Sequence, residues 1–141
     1  MKNNVLLKKF IRTRNKSVEI CKNIELEDYS VQPHEDISPP KWHLAHTSWF
    51  YEEVLLSKLS RTKTRYNNEY KLLYNSYYKS AGKHWEQSKR GLLSRPTVKE
   101  ILHYRKYIDK EIIKFIEGSK ENFKQKYLIE LGIHHEQQHQ E

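Results

Sequence analysis

Between Pro96 and Gly118 the chain spells out one helix from its start to its stop. Thr97 stands at the cap position and Glu100 three residues later, the spacing at which a hydroxyl and a carboxylate satisfy the free N–H groups of a first turn. Val98, Ile101, Leu102, Ile108, Ile112, Phe115 and Ile116 recur at the helical period, and Gly118 closes the segment. Such an apolar stripe has to be buried against other elements, which commits the chain to a packed helical fold. Three more segments read as helices. The first covers roughly residues 2–24, with a loose stripe of Val5, Leu6, Phe10, Ile11, Val18 and Ile20. Glu25–Pro40, with Pro33, Pro39 and Pro40, reads as a linker. Ser38 is the expected N-cap of the second helix, because proline is tolerated in a first turn. That helix runs to about Leu59 and carries His46, Trp49, Phe50, Glu53 and Leu56. The fourth starts near Ser119–Glu121 and runs through Phe123, Tyr127, Leu128 and Leu131. Between the second and third lies a long irregular stretch, about 60–96, holding Gly82 and Gly91; a loop of that length is functional or covered by something else. No strand pattern and no repeat are present. The expectation is one all-α domain over 1–141, an up-down four-helix bundle with a long loop between helices two and three.

Composition narrows the function classes. Only 36% of residues are hydrophobic and the mean hydropathy is −0.97, so the core has to lean on ten Tyr and three Trp. The net charge of +8 is spread along the chain, with no zinc-finger spacing, no aromatic RNA-binding signature and no sustained basic block. It reads as a lysine-rich surface and argues against a nucleic-acid partner. The one cysteine, Cys21, cannot form an intrachain disulfide. Val5-Leu6-Leu7 is too short for a secretory leader, and no run approaches a membrane span. A cytoplasmic protein is expected.

Histidine carries the chemistry. His135 and His139 lie four apart on the fourth helix, about 40° apart around its axis and one turn along it, so both rings can reach one ion. His134 is about 100° away from His135 and cannot share that face. His135-Glu136-Gln137-Gln138-His139 also spells the helix of zinc proteases, but that chemistry works at a sheet edge that this sequence does not offer. A third ligand is available in the second helix, at His43 or His46. His46 shares a stripe with Trp49, Phe50 and Glu53, and His43 sits about 60° off it, a modest preference for His46. His34, His84 and His103 have no such context and are expected at the surface. Three neutral imidazoles suit Zn²⁺, Fe²⁺ or Ni²⁺ alike.

Three stretches together resemble one family. They are Ser38-Pro39-Pro40-Lys41-Trp42-His43-Leu44-Ala45-His46-Thr47-Ser48-Trp49-Phe50-Tyr51-Glu52; Tyr74-Asn75-Ser76-Tyr77-Tyr78 followed by Arg90-Gly91-Leu92-Leu93-Ser94-Arg95-Pro96-Thr97; and His134 to Glu141. In order and spacing they are similar to the N-terminal domain of the sulfoxide synthases of ergothioneine biosynthesis. The resemblance implies a DinB-like bundle that binds Fe(II) through His46, His135 and His139. The implied enzyme uses O₂ to join a thiol, γ-glutamylcysteine or cysteine, to hercynine. Arg90 and Arg95 are then expected partners of a substrate carboxylate, since guanidinium and carboxylate pair through two hydrogen bonds. The family's C-terminal domain, like the formylglycine-generating enzymes, would supply the catalytic tyrosine and much of the hercynine pocket, so no catalytic residue is expected within 1–141. The fourth helix is expected to be cut short at Glu141 and these residues to be inactive alone. Two other readings fit the same residues. One is a stand-alone DinB-like module holding Zn(II), such as a thiol transferase; the other is a bundle without metal.

Overall fold

The computed structural model describes residues 2–59, 65–76, 83–118 and 122–141, without the side chains of Lys2 and Asn3. Four long helices make the fold: α1 (Lys2–Ile20), α2 (Pro40–Tyr51, continued by a π-helical stretch Glu52–Leu56 and a last turn Ser57–Leu59), α3 (Val98–Gly118) and α4 (Phe123–Gln140). Among the described residues there is no strand, only an isolated bridge between His34 and Ile37. The expected all-α bundle is therefore present. Its packing order is set by the contacts: α1 and α2 each lie against both α3 and α4, so they occupy opposite corners.

Local chemistry accounts for most boundaries. The Glu100 amide donates to the Thr97 hydroxyl at 3.1 Å, as the capping spacing requires. Asn122 caps α4 by accepting from the Lys124 and Gln125 amides; the expected start at Ser119–Glu121 lies outside the described residues. α1 stops at Ile20 rather than near residue 24, and the linker after it forms a 3₁₀ turn, Leu26–Ser30, packed on α2. Pro39, not Ser38, caps α2. The Ser38 hydroxyl instead accepts a hydrogen bond from Arg90 at 2.8 Å, a charged donor that outcompetes a backbone amide. Among its described residues, the long stretch before α3 holds a helical turn, Tyr70–Leu73, and a 3₁₀ segment, Gln87–Leu92; Gly82 lies outside the described residues.

The buried faces of α1 and α4 differ from the expected stripes. Leu6 and Phe10 are buried as expected, but Val5, Ile11, Val18 and Ile20 are exposed, and α1 turns Thr13, Arg14 and Ser17 inward instead. On α4, Phe123, Tyr127 and Leu131 are exposed, while Ile129, Gly132, Ile133 and Glu136 are buried. The cause is a buried ionic cluster. The Glu136 carboxylate accepts from Arg14 at 2.8 Å, Arg105 at 2.9 Å and the Ser17 hydroxyl. Arg105 also donates to the Leu44 and Arg14 carbonyls, and Arg14 to Ser48 and Asp109. Burial alone would raise the Glu136 carboxyl, but the two guanidinium groups and the Ser17 hydrogen bond outweigh it and hold it at about 2. Polar positions thus face inward because their partners on the other helices are there.

α4 approaches α2 closely at Gly132, where a Cβ would stand 2.8 Å from Cζ of Tyr51. That ring cannot yield, since it is buried edge-on against Phe10 and lies under the Arg14 guanidinium. Gly132→Ala is therefore expected to lower stability by about 1–3 kcal/mol by overpacking, although alanine is the better helix former by about 1 kcal/mol. Urea unfolding of the variant checks this, and a gain in stability would show the contact to be loose.

Candidate metal centre

The inner ends of α2 and α4 bring three imidazoles together. α2 is buried on almost every side from Lys41 to Leu56, so His46 is 1% exposed. His135 and His139 project from adjacent turns of α4 toward it. Their donor nitrogens, with that of His46, all lie within 4.8 Å of one another. The helical spacing of His135 and His139 therefore brings both rings to one point, with His46 as the third member. His43 stands at the rim, and its Nδ1 is 2.8 Å from Nδ1 of His139. His34, His84, His103 and His134 are exposed.

Aromatic rings wall the centre. Trp42 stacks on His46 at 4.4 Å, Trp49 stacks on its other side at 5.4 Å, and Phe50 stacks on His135 at 4.1 Å. Trp42 is fixed in turn by its indole N–H, which donates to the Leu73 carbonyl. Nδ1 of His46 is 2.6 Å from the Tyr74 carbonyl. A carbonyl only accepts, so that nitrogen carries the proton and Nε2 presents a lone pair. Nε2 of His135 lies 3.1 Å from it. At this separation either a proton on Nε2 of His135 donates to the His46 lone pair, or a cation takes both nitrogens as ligands.

Burial pushes all these imidazoles down. His135 falls to about 3 through burial and the nearby His139, His46 lies well below its ordinary value through burial, His135 and His139, and burial also lowers His139. Neutral imidazole is the ligating form, so the donor set fits a divalent ion. The one misfit is Nδ1 of His135, which is buried without a hydrogen-bond partner among the described residues. The lowered values also fix a sign. The unfolded chain takes up protons below about pH 6.5, where the folded histidines do not. Metal-free protein should lose stability as pH falls from about 6.5 toward 4. Chemical unfolding at a series of pH values tests this, and a flat profile would mean the rings are hydrated.

The two arginines sit differently. Arg90 is buried, with its guanidinium 3.5 Å over the Trp42 ring and Nη1 on the Ser38 hydroxyl. It thereby extends the stack of Trp42 on His46. Arg95 is exposed and donates to the Ser94 carbonyl. Glu136, which sequence places in a protease-like pattern, faces away from the histidines into the cluster with Arg14 and Arg105. A carboxylate held by two cations and a hydroxyl is a poor general base. Sequence reasoning held Tyr74 only as part of a resembling stretch and missed its carbonyl as the partner of His46, because a backbone carbonyl has no residue-type signal.

Beside the centre lies a cavity of about 240 Å³, mostly apolar, lined among others by Ser17, Cys21, His43, Thr47 and His139. No helix among the described residues is long and apolar enough to cross a membrane. The sequence model of the DinB superfamily matches residues 9–141, nearly the whole chain. No curated protein matches it.

Proposed function

The chain belongs to the DinB superfamily, and we propose that within it these residues form the metal-binding domain of a non-haem iron(II), O₂-dependent sulfoxide synthase. Its substrates would be a thiol, γ-glutamylcysteine or cysteine, and hercynine. One observation carries the reading: the three sequence stretches that bear the resemblance converge on one point. The first supplies Trp42 and His46, the second Arg90, and the third His135 and His139, joined by the stack of Arg90, Trp42 and His46.

An iron(II) ion held by three imidazoles would supply open positions at which a thiol and O₂ can meet. The chain's own residues do the rest of what this domain contributes. His46, His135 and His139 hold the ion, and Trp42, Trp49 and Phe50 keep water from its inner side. Arg90 braces Trp42, and with Arg95 it is the proposed contact for a substrate carboxylate. The catalytic tyrosine and most of the hercynine pocket are assigned to a domain like the formylglycine-generating enzymes, and the cellular setting to the cytoplasm.

The test is turnover. Protein that includes the second domain, loaded with Fe(II) without air and then given hercynine, γ-glutamylcysteine and O₂, should form the sulfoxide, detected by mass. Residues 1–141 alone should form none. Zinc retained through purification, with thiol transfer by residues 1–141 alone, would replace this reading with a stand-alone zinc module.

A further inference from the structure

Of the three histidines that can hold an ion, two have their outward nitrogens engaged. His46 gives its Nδ1 proton to the Tyr74 carbonyl, and His139 meets His43 through Nδ1 at 2.8 Å. We propose that His43 is a positioning residue for the metal centre: its Nδ1 accepts the Nδ1–H of His139, which leaves Nε2 as the ligating nitrogen of His139. The inference rests on the histidine triad and adds a fourth histidine that does not touch the ion.

The direction of that hydrogen bond follows from the geometry of the triad. The donor nitrogens of His46, His135 and His139 lie within 4.8 Å of one another, and Nδ1 of His139 is taken up by His43, so Nε2 is the nitrogen left to hold an ion. A ligating nitrogen presents its lone pair, so the one proton of a neutral His139 ring sits on Nδ1. His139 then donates from Nδ1, and Nδ1 of His43 accepts. The placement is rigid: His43 packs edge-on against Trp42 with ring centres 5.7 Å apart, and Trp42 lies between the Arg90 guanidinium and His46. One tryptophan thus braces both a ligand and the residue that orients another ligand. Outer partners of metal-bound histidines fix the tautomer and the ring angle, and their loss weakens metal binding by about 10–100-fold. His43 and His139 both line the cavity beside the centre.

The closing experiment compares Zn²⁺ affinity, by competition with a chromophoric chelator, in the parent and in His43→Phe, His43→Asn and His135→Ala. Phenylalanine keeps the ring and loses the acceptor, and it should raise Kd by about 10–100-fold. The asparagine amide oxygen stands as many bonds from the backbone as Nδ1 does, and His43→Asn should bind nearly as the parent does. In parallel, nitrogen-15 spectra of the zinc-loaded parent should show His139 protonated at Nδ1, which needs no variant to fold. The proposal falls if His43→Phe binds as tightly as the parent, if asparagine is as damaging as phenylalanine, or if His139 is protonated at Nε2. Undiminished affinity in His135→Ala would instead overturn the triad itself.

Discussion

Replacing Glu136 with alanine is expected to cost about 3–5 kcal/mol, a large share of the roughly 5–15 kcal/mol that holds a domain folded. The reason is what stays behind. Arg14 is 1% exposed and Arg105 is 2% exposed, and both donate to this carboxylate. Without it two guanidinium groups remain buried with carbonyls, Asp109 and hydroxyls as their other partners. The buried ionic cluster as a whole need not be worth that much, because desolvation of three charges offsets most of their attraction. Exchanging Arg14, Arg105 and Glu136 together for apolar residues of similar volume should therefore cost less than the single change. Chemical unfolding of the single and triple variants checks both statements. A folded, stable Glu136→Ala protein with altered chemistry would return the residue to a catalytic role and contradict the geometry. Within the pH range where the fold is stable, Glu136 stays ionised; its value is depressed, so its contribution to stability holds above about pH 4.5 and is lost as pH falls toward 2.

The second large effect concerns the ion. His46→Ala, His135→Ala and His139→Ala should each weaken metal binding by a hundredfold or more. A four-ligand zinc site contributes about 10–16 kcal/mol, so one ligand is worth roughly 3 kcal/mol. Calorimetric titration of each variant measures this, and three unchanged affinities would refute the site. Binding only to the folded state also raises the melting temperature, so a chelator should lower it in the parent and leave the three variants unmoved. The variants differ in one respect. His46 is hemmed by Trp42 and Trp49 and bonded to Tyr74, so His46→Ala also opens a cavity, and it should be the least stable of the three without metal.

How much of this was legible in the sequence varies by element. α3 was readable from cap to stop, because Thr97 and Glu100 act on their own first turn and Ile101, Ile108, Ile112 and Ile116 mark one apolar face. The helical pair His135 and His139 was readable for the same reason, since four residues bring two rings to one side of any helix. These are local facts, and local facts depend only on the chain nearby. The inward faces of α1 and α4 were not readable. Arg14, Ser17 and Glu136 look like solvent residues until Arg105 on α3 is brought between them, and the partners are separated by up to 122 residues in the chain. A hydrophobic count prefers Val18 or Leu131, because burial of charge becomes favourable only once every charge has its partner. The same division holds at the metal centre. Sequence determined the helices, the His135 and His139 pair, and a choice between His43 and His46 for the third ring. Tertiary structure separates the two rings: the donor nitrogen of His46 lies within 4.8 Å of those of His135 and His139, while His43 stands beside them on His139, because packing of α2 against α4 fixes which face of α2 turns inward.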